Sequence, residues 1–202
     1  ELLKLIEDDR IYLAMQDLIG EEFFYLGSEG MRGLNRSGPV HHWHADGEWS
    51  LDKLNFLRIK IMLYLDPLNG DSGALRIIPG SHRLPFHEAL RPFQEAHMHQ
   101  EPTFFGLNGA DVPSYVVETT PGDMVIFNQW LFHAVYGDCG RRRNIVLKFA
   151  DRATTEVDLG VLKRSPEIFN PHEALRNSRS PRIQHMTGGL VALGDRVTHA
   201  DE

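Results

Sequence analysis

The feature of this sequence that most limits its fold is a series of short apolar runs separated by turns rich in Pro and Gly. The runs lie at residues 54–66, 74–78, 114–118, 123–128, 133–136 and 144–150. In the first of them, branched apolar residues alternate with other residues from Ile59 to Asp66, which predicts a strand with one buried face. Several short strands bounded by such turns are typical of an antiparallel β-sandwich or barrel.

The segments around these runs have a different pattern. Leucine and isoleucine recur at helical spacing over residues 1–19, which predicts an N-terminal helix. Residues 84–113 interrupt the strands, and an insertion of this length in a compact β domain is usually functional. Residues 151–202 carry little strand pattern, and we expect them to pack on the barrel as a C-terminal tail. We therefore expect one domain over residues 1–202, with its core at about residues 30–150.

Composition excludes several classes of partner. The chain has 202 residues, is 42% hydrophobic and carries a formal net charge of −7 at pH 7, which argues against broad nucleic-acid binding. No apolar run approaches the roughly 20 residues that a membrane span needs, so we expect no membrane partner. The single cysteine, Cys139, favours a reducing compartment, and we expect a cytoplasmic protein. The sequence gives no indication of oligomeric state, and its start at Glu1 without a methionine or signal-like segment indicates a trimmed N-terminus.

The segment from His41 to Gly47 is rich in side chains that bind metals. Side chains two apart in a strand point to the same face, so His44 and Asp46 can hold one ion from one side. His42 shares that alternation and competes as a ligand. One more histidine would complete the two-histidine, one-carboxylate arrangement typical of non-haem Fe(II). By itself, the His-x-Asp pattern equally fits a polar, partly exposed loop.

A third ligand is offered by His133, which follows the apolar run Met124–Phe127. A histidine in apolar surroundings can also be a hydrogen-bonded core residue. After a turn flanked by glycine, Arg141–Arg143 open the apolar run Asn144–Phe149. Arginines at the end of a strand are usually solvated, but one that points inward would grip a carboxylate through two parallel hydrogen bonds.

In this order, the motifs resemble those of the phytanoyl-CoA dioxygenase family of Fe(II)- and 2-oxoglutarate-dependent oxygenases. The resemblance rests on His44-x-Asp46, on Gly73-Ala-Leu-Arg-Ile-Ile-Pro-Gly-Ser-His82, on Pro121-Gly122-Asp123, and on His133 followed by an Arg before Asn-Ile-Val-Leu. It extends from about Trp43 to Phe149. It implies a mainly β fold, a double-stranded β-helix (a jelly-roll or cupin-like barrel) with flanking helices and a metal at its open mouth.

The resemblance also implies roles for individual residues. The family's Fe(II) ligands, which are also its catalytic residues, are matched by His44, Asp46 and His133. The family's arginine that binds the far carboxylate of 2-oxoglutarate is matched best by Arg142, with Arg143 as the alternative. Met62 falls where the family often places a side chain that lines the co-substrate. The implied cofactors are Fe(II), 2-oxoglutarate as co-substrate, and O2.

The sequence departs from the family pattern directly after His133, the residue that matches the second histidine ligand of the family. The family often has Gly-Ser there, whose hydroxyl can reach the co-substrate, whereas this chain has Ala134-Val135. Binding of 2-oxoglutarate would then depend more on Arg142, or on another residue such as Asn128. Arg32 or Asn35 could also supply a polar group to the pocket.

The expected function is oxidation of a small-molecule substrate. Asp46 stands where related halogenases have a small residue, which favours hydroxylation of an unactivated C–H bond with release of succinate and CO2. Epimerisation or desaturation within the family stays open. Two other classes also stay open: a cupin-like barrel that binds a metal or ligand without redox turnover, and a zinc-dependent isomerase or hydrolase.

Several residues beside these motifs have less specific expectations. His82 is expected to anchor its turn, and His97 and His99 to be solvated, because residues two apart on a helix do not face each other. His41 is placed beside the site. The candidates for a wall or lid, or for plain core residues, are Trp43, Trp49, Phe104 and Phe105.

Overall fold

The computed structural model describes residues 2–33, 41–46, 51–99, 101, 103–163 and 165–199. The chain forms two compact units. The terminal unit contains Glu1–Ser28, Asn55–Ile59 and Leu147–Glu202, and the central unit contains Glu29–Leu54 and Lys60–Val146. The expectation of one domain over residues 1–202 stays a prediction.

Helices lie at both ends of the chain and between the fourth and fifth strands, and the strands lie between these helical segments. In chain order the elements are α1 (Leu2–Ile6), α2 (Asp9–Ile19), β1 (Phe23–Arg32), β2 (His41–His44), β3 (Arg58–Tyr64), β4 (Ser72–Ile77), α3 (Phe86–Ala89), α4 (Arg91–Met98), β5 (Thr103–Phe104), β6 (Leu107–Asn108), β7 (Tyr115–Val117), β8 (Met124–Asn128), β9 (His133–Gly137), β10 (Arg143–Asp151), α5 (Glu156–Leu162), α6 (Glu173–Arg176), α7 (Pro181–Thr187) and α8 (Leu190–His199). Short 3₁₀ helices lie at Asp52–Asn55, Gly109–Asp111 and Pro166–Phe169.

Two four-stranded antiparallel sheets form most of the β structure. Their strand orders are β1-β10-β3-β8 and β2-β9-β4-β7. In the second sheet, His133 of β9 lies opposite His44 of β2 on one side and Ile77 of β4 on the other. β5 and β6 form a small separate hairpin. The predicted architecture, mainly β with flanking helices, is confirmed.

The strands lie where the apolar runs predict them, but the burial of β3 differs from the prediction. Met62 and Tyr64 are 5% and 0% exposed, whereas Leu65 is 42% exposed. Met62 and Tyr64 belong to an apolar cluster that includes Leu75 and Val135. The expectation of one buried face is therefore wrong, because the face that alternation assigns to solvent lies inside the molecule.

The flanking segments are helical. The helix predicted over residues 1–19 is interrupted, and α2 starts again after Asp8, whose carboxylate accepts a hydrogen bond from the N–H of Arg10 as an N-cap. Residues 151–202, which carry little regular pattern in the sequence, contain α5 to α8. None of the helices in the described residues has the length and apolar character required to cross a membrane.

The insertion at residues 84–113 packs a helix against β2. α4 begins one residue before Pro92, which occupies the first turn, where its missing N–H removes no hydrogen bond. Phe93 of α4 contacts the rings of Trp43 and Phe104. All three belong to one buried apolar cluster, so Trp43 and Phe104 are core residues rather than parts of a lid.

Candidate metal centre

Three side chains with metal-binding atoms meet at the end of β2. His44 is the last residue of β2 and lies opposite His133 on β9, and Asp46 follows two residues later. Oδ1 of Asp46 lies 3.8 Å from Nε2 of His44 and 3.9 Å from Nε2 of His133. One potential ligand atom from each residue lies within 4.8 Å of the other two. Two imidazole nitrogens and a carboxylate oxygen suit a divalent metal of intermediate softness.

Backbone hydrogen bonds orient both imidazoles towards this point. Nδ1–H of His44 donates to the carbonyl of His42 at 2.6 Å, and Nδ1–H of His133 donates to the carbonyl of Leu131 at 2.8 Å. Because a carbonyl oxygen only accepts, the proton of each neutral ring is on Nδ1 and the lone pair is on Nε2. A metal ligand needs this tautomer, so the residues present fit a divalent metal.

Burial keeps both histidines uncharged. It lowers the pKa of His44 to about 3 and that of His133 to about 4. Burial alone would raise the pKa of Asp46, but Lys60 and the two histidines outweigh it and hold that pKa below its usual range. At neutral pH the cluster offers two neutral nitrogens and one carboxylate, which are the protonation states that bind metals.

An irregularity in β2 decides which of its histidines faces the cluster. His44 lies opposite His133, but His41 lies opposite Val135, so β2 has one residue more than β9 over this interval. An extra residue of this kind is a β-bulge, and it breaks the two-residue alternation of side chains. His41 and His44, three residues apart, therefore approach each other, with ring centroids at 6.1 Å.

The prediction that His42 competes as a metal ligand is wrong for the same reason. Its ring lies 6.0 Å from the ring of Phe104 and 6.1 Å from that of Tyr136. Phe104 belongs to the insertion, and Tyr136 belongs to β9. His42 is thus packed against aromatic residues, while the ligand atoms within 4.8 Å of one another come from His44, Asp46 and His133.

The backbone between the first two ligands is fixed from both sides. The N–H of Ala45 donates to Oε1 of Gln94, a buried residue of α4, at 3.0 Å. The N–H of Asp46 donates to the carbonyl of Gln129 at 2.9 Å. Asp46 lies just beyond the last residue of β2, so these bonds replace the sheet bonds that a longer strand would give.

His97 contacts the cluster although it is not one of its ligands. It lies three residues after Gln94, so both face β2 from the same side of α4. Its ring stacks on that of His44, with centroids 4.6 Å apart and planes 19° apart. Burial lowers the pKa of His97, which favours the neutral ring. The prediction that His97 is solvated is therefore wrong.

Of the arginines at the start of β10, Arg142 points inward. It is 2% exposed, its Nε–H donates to the carbonyl of Gly73 at 3.0 Å, and its buried Nη2 has no hydrogen-bond partner among the described residues. Arg143 is exposed and donates from Nη2 to Oδ1 of Asp66 at 2.7 Å. A buried guanidinium with a free donor is suited to bind a carboxylate, which distinguishes Arg142 from Arg143.

Two other predicted co-substrate residues differ in their surroundings. Met62 is buried and accepts a hydrogen bond on Sδ from the hydroxyl of Tyr64, at 3.6 Å. The guanidinium of Arg142 lies 5.8 Å from the ring centroid of Tyr64. Oδ1 of Asn128 instead accepts a hydrogen bond from the N–H of Trp130 at 2.9 Å, so this side chain closes the turn after β8. Sequence reasoning missed Tyr64 as a neighbour of Arg142.

Lys60 is a second residue that sequence reasoning missed. Its Nζ forms an ion pair with Oδ2 of Asp46 and lies 5.8 Å from the ring centroid of Phe127. The side chain is 13% exposed. A lysine inside an otherwise apolar strand is a signal in the sequence, but alternation on β3 predicts that it lies on the solvent face.

The remaining predicted residues have other positions. Arg32 is exposed at the end of β1, and Phe105 is 68% exposed. Oγ of Ser81 accepts a hydrogen bond from the N–H of Phe132 at 2.8 Å, so Ser81 anchors the turn for which His82 was predicted. Two further candidates lie outside the described residues: Asn35 and Trp49.

A comparison with protein families gives one match. The model described as Phytanoyl-CoA dioxygenase (PhyH) matches residues 31–138, which is more than half of the chain and includes His44, Asp46 and His133. The match ends before Arg142. No curated protein matches the chain.

Solved structures share the fold at low sequence identity. HygX from Streptomyces hygroscopicus with nickel and 2-oxoglutarate bound has a TM-score of 0.58 and 19% identity, over 76% of this chain and 66% of that one. AviO1 from Streptomyces viridochromogenes Tue57 has a TM-score of 0.54 and 19% identity, over 75% of this chain and 61% of that one. EctD from S. alaskensis with 2-oxoglutarate and 5-hydroxyectoine has a TM-score of 0.51 and 22% identity, over 74% of this chain and 52% of that one.

These similarities confirm the predicted double-stranded β-helix. The chain is shorter than the proteins it resembles and spans 61% of the length of AviO1 and 32% of the length of EvdMO1, another similar structure.

Proposed function

Because the chain belongs to the phytanoyl-CoA dioxygenase family of Fe(II)- and 2-oxoglutarate-dependent oxygenases, we propose that it hydroxylates an unactivated C–H bond of a small molecule, with release of succinate and CO2. The observation that carries the proposal is the meeting of His44, Asp46 and His133, with both histidines in the tautomer that leaves Nε2 free. The retained carboxylate favours hydroxylation over halogenation.

In this proposal the three side chains would hold Fe(II) through Nε2 of His44, Nε2 of His133 and Oδ1 of Asp46. When bound, Fe(II) would supply the activation of O2, with 2-oxoglutarate as the electron donor. The protein supplies the geometry, because it places the three ligand atoms within 4.8 Å of one another. The backbone bonds to Ala45 and Asp46 hold the ligands in place before the ion binds, which reduces the cost of ordering them.

We assign the far carboxylate of 2-oxoglutarate to Arg142. Gly73 holds Nε, which orients the guanidinium and leaves Nη2 to the ligand. The side chain is buried, so water competes little for this donor and the charge-assisted bond is strong. Tyr64, whose ring centroid lies 5.8 Å from the guanidinium and whose hydroxyl donates to Sδ of Met62, is a candidate for the role that Ala134 and Val135 do not fill.

The substrate is proposed to be a small molecule rather than a macromolecule. The structures of HygX with hygromycin B and of EctD with 5-hydroxyectoine contain small molecules, and those two proteins share this fold. The net charge of −7 gives no support to a nucleic-acid substrate. The lone, buried Cys139 suits a reducing compartment such as the cytoplasm.

The test is succinate formation from 2-oxoglutarate by the purified protein in air. We expect it to require Fe(II) and O2 and to stop in the His133→Ala protein, which should still fold. Among candidate substrates, the correct one should accelerate succinate formation and gain one oxygen atom. Iron and 2-oxoglutarate bound without succinate formation in the presence of any candidate, or turnover supported by zinc without O2, would overturn the proposal in favour of a binding barrel or a zinc enzyme.

A further inference from the structure

The ion pair between Lys60 and Asp46 places a positive charge beside a site for a cation. Building on the proposed function, we propose that Lys60 is a positioning residue of the metal centre. It holds Asp46 to ligation through one oxygen, and it weakens binding of the metal in exchange for stronger binding of the dianionic co-substrate.

The two oxygens of Asp46 face different partners. Oδ1 lies 3.8 Å and 3.9 Å from the free nitrogens of His44 and His133. Oδ2 faces the other way, against Nζ of Lys60. An oxygen that is paired with an ammonium group is not available to the ion, so Asp46 contributes Oδ1 alone. Ligation by one oxygen leaves one more position of the ion open than ligation by two.

The position of Lys60 is set by the strand. Its neighbours Ile59 and Ile61 are 5% and 0% exposed and fix β3 in the core. The next residues on the face of Lys60 are Met62 and Tyr64, which are also buried. Nζ therefore ends in a confined place, 5.8 Å from the ring centroid of Phe127. In such surroundings a charge acts more strongly on its neighbours than it would in water.

For the metal, the consequence is weaker binding. An ammonium group lowers the negative potential of the carboxylate and repels a dication held by its other oxygen. Removal of Lys60 also leaves the half-buried carboxylate of Asp46 without its counter-ion, and a metal ion would then neutralise that carboxylate. Both effects act in the same direction, so loss of the Lys60 charge should tighten metal binding.

For 2-oxoglutarate, the consequence is opposite. A divalent ion bound to one carboxylate carries too little positive charge to balance the dianion 2-oxoglutarate. Lys60 and Arg142 supply the remaining positive charge. Both lie along one face of β3: Lys60 shares that face with Tyr64, and the guanidinium of Arg142 lies 5.8 Å from the ring centroid of Tyr64. Loss of the Lys60 charge should therefore weaken binding of the co-substrate.

The experiment compares the purified apoprotein with its Lys60→Met and Lys60→Arg variants by calorimetric titration. Each protein is titrated with Co(II), and then, loaded with Co(II), with 2-oxoglutarate. We expect Lys60→Met to bind Co(II) on the order of 10-fold more tightly and 2-oxoglutarate on the order of 10-fold more weakly. Lys60→Arg, which keeps the charge, should return both constants towards those of the wild type.

Shifts of the Co(II) and 2-oxoglutarate affinities in opposite directions distinguish this role from a structural one, because local damage to the fold would lower both affinities. The inference is overturned if Lys60→Met lowers both affinities or changes neither. It is also overturned if Lys60→Arg behaves like Lys60→Met. Lys148→Met, a half-buried strand lysine of the terminal unit, is the matched control and should change neither constant. If Lys60→Met does not fold, Lys60→Gln carries the same expectation. Wild-type protein that binds Co(II) but not 2-oxoglutarate would instead refute the proposed function.

Discussion

Replacement of Arg142 by methionine should remove most of the affinity for 2-oxoglutarate while leaving the metal site intact. Methionine keeps an unbranched, apolar side chain in a buried position, so the change removes mainly the guanidinium. The metal ligands belong to other elements, and their own hydrogen bonds go to His42 and Leu131 rather than to Arg142.

The magnitude follows from which donors are free. Nε of Arg142 is already bonded to Gly73, so a carboxylate gains the terminal nitrogens, of which Nη2 has no partner among the described residues. A hydrogen bond between charged groups contributes about 1.5–3 kcal/mol, and truncation of one partner of a buried charge pair costs about 2–5 kcal/mol. A loss of about 2–4 kcal/mol corresponds to roughly 30- to 700-fold weaker binding of 2-oxoglutarate.

The assay is the Michaelis constant for 2-oxoglutarate in succinate formation, together with the Co(II) affinity of the apoprotein. Arg143→Met is the matched control, because Arg143 is adjacent in sequence but exposed and paired with Asp66. We expect the control to stay within about two-fold of the wild type, as surface substitutions usually do. The assignment of the carboxylate to Arg142 would be refuted by an unchanged Michaelis constant for 2-oxoglutarate in Arg142→Met. It would also be refuted by a large increase of that constant in Arg143→Met instead.

Three further predictions concern the architecture of the site. Gly73→Ala should lower the melting temperature and weaken 2-oxoglutarate binding, because Gly73 has φ 90° and a Cβ there would lie 2.8 Å from Sγ of Cys139 and 3.2 Å from Cδ of Arg142, the residue proposed to bind the carboxylate. Asp46→Ala should weaken Co(II) binding by more than about 100-fold, measured by calorimetry, since it removes the anionic ligand. The free energy of unfolding of the apoprotein, measured in urea, should fall as the pH drops below about 6.5, because His44 and His133 stay neutral in the fold down to about 3 and 4 but protonate near 6.5 when unfolded.

Each of these has a clear contrary result. Wild-type melting and co-substrate binding in Gly73→Ala would mean that the backbone tolerates a side chain there. Co(II) affinity unchanged in Asp46→Ala would remove the carboxylate from the ligand set. For the pH series, each histidine should contribute about 2 kcal/mol between pH 6.5 and about 5. The same pH slope in His133→Gln as in the wild type would contradict the account.

The sequence predicts the strands because their positions follow from alternation and from Pro and Gly turns. The pairing of His44 with Asp46 follows from their spacing in one strand, but His133 joins them only through the resemblance to the family. Metal ligands that lie close together in the sequence can therefore be identified from residue type and spacing, without a structure.

What the sequence does not predict depends on packing. The bulge in β2 turns His41 rather than His42 towards the cluster, and no residue type in this segment signals it. Lys60 alternates with apolar residues, which predicts a position in solvent, although that face of β3 is inside the molecule. His97 reaches the site because α4 packs on β2, a contact between elements about fifty residues apart.

The choice between Arg142 and Arg143 shows the same limit. Three consecutive arginines differ only in which way each side chain points, and a shift of one residue exchanges the two faces of a strand. Arg142, just before β10, points inward to the carbonyl of Gly73, whereas Arg143, the first residue of β10, pairs with Asp66.

The most direct test of the central claim is an anaerobic titration of the apoprotein with Fe(II) and then 2-oxoglutarate, followed by visible absorption. We predict the metal-to-ligand charge-transfer band of a keto acid chelated to Fe(II), present in the wild type and absent from the His133→Ala protein. Iron bound without that band, at saturating 2-oxoglutarate, would contradict the assignment of a 2-oxoglutarate-dependent iron centre to His44, Asp46 and His133.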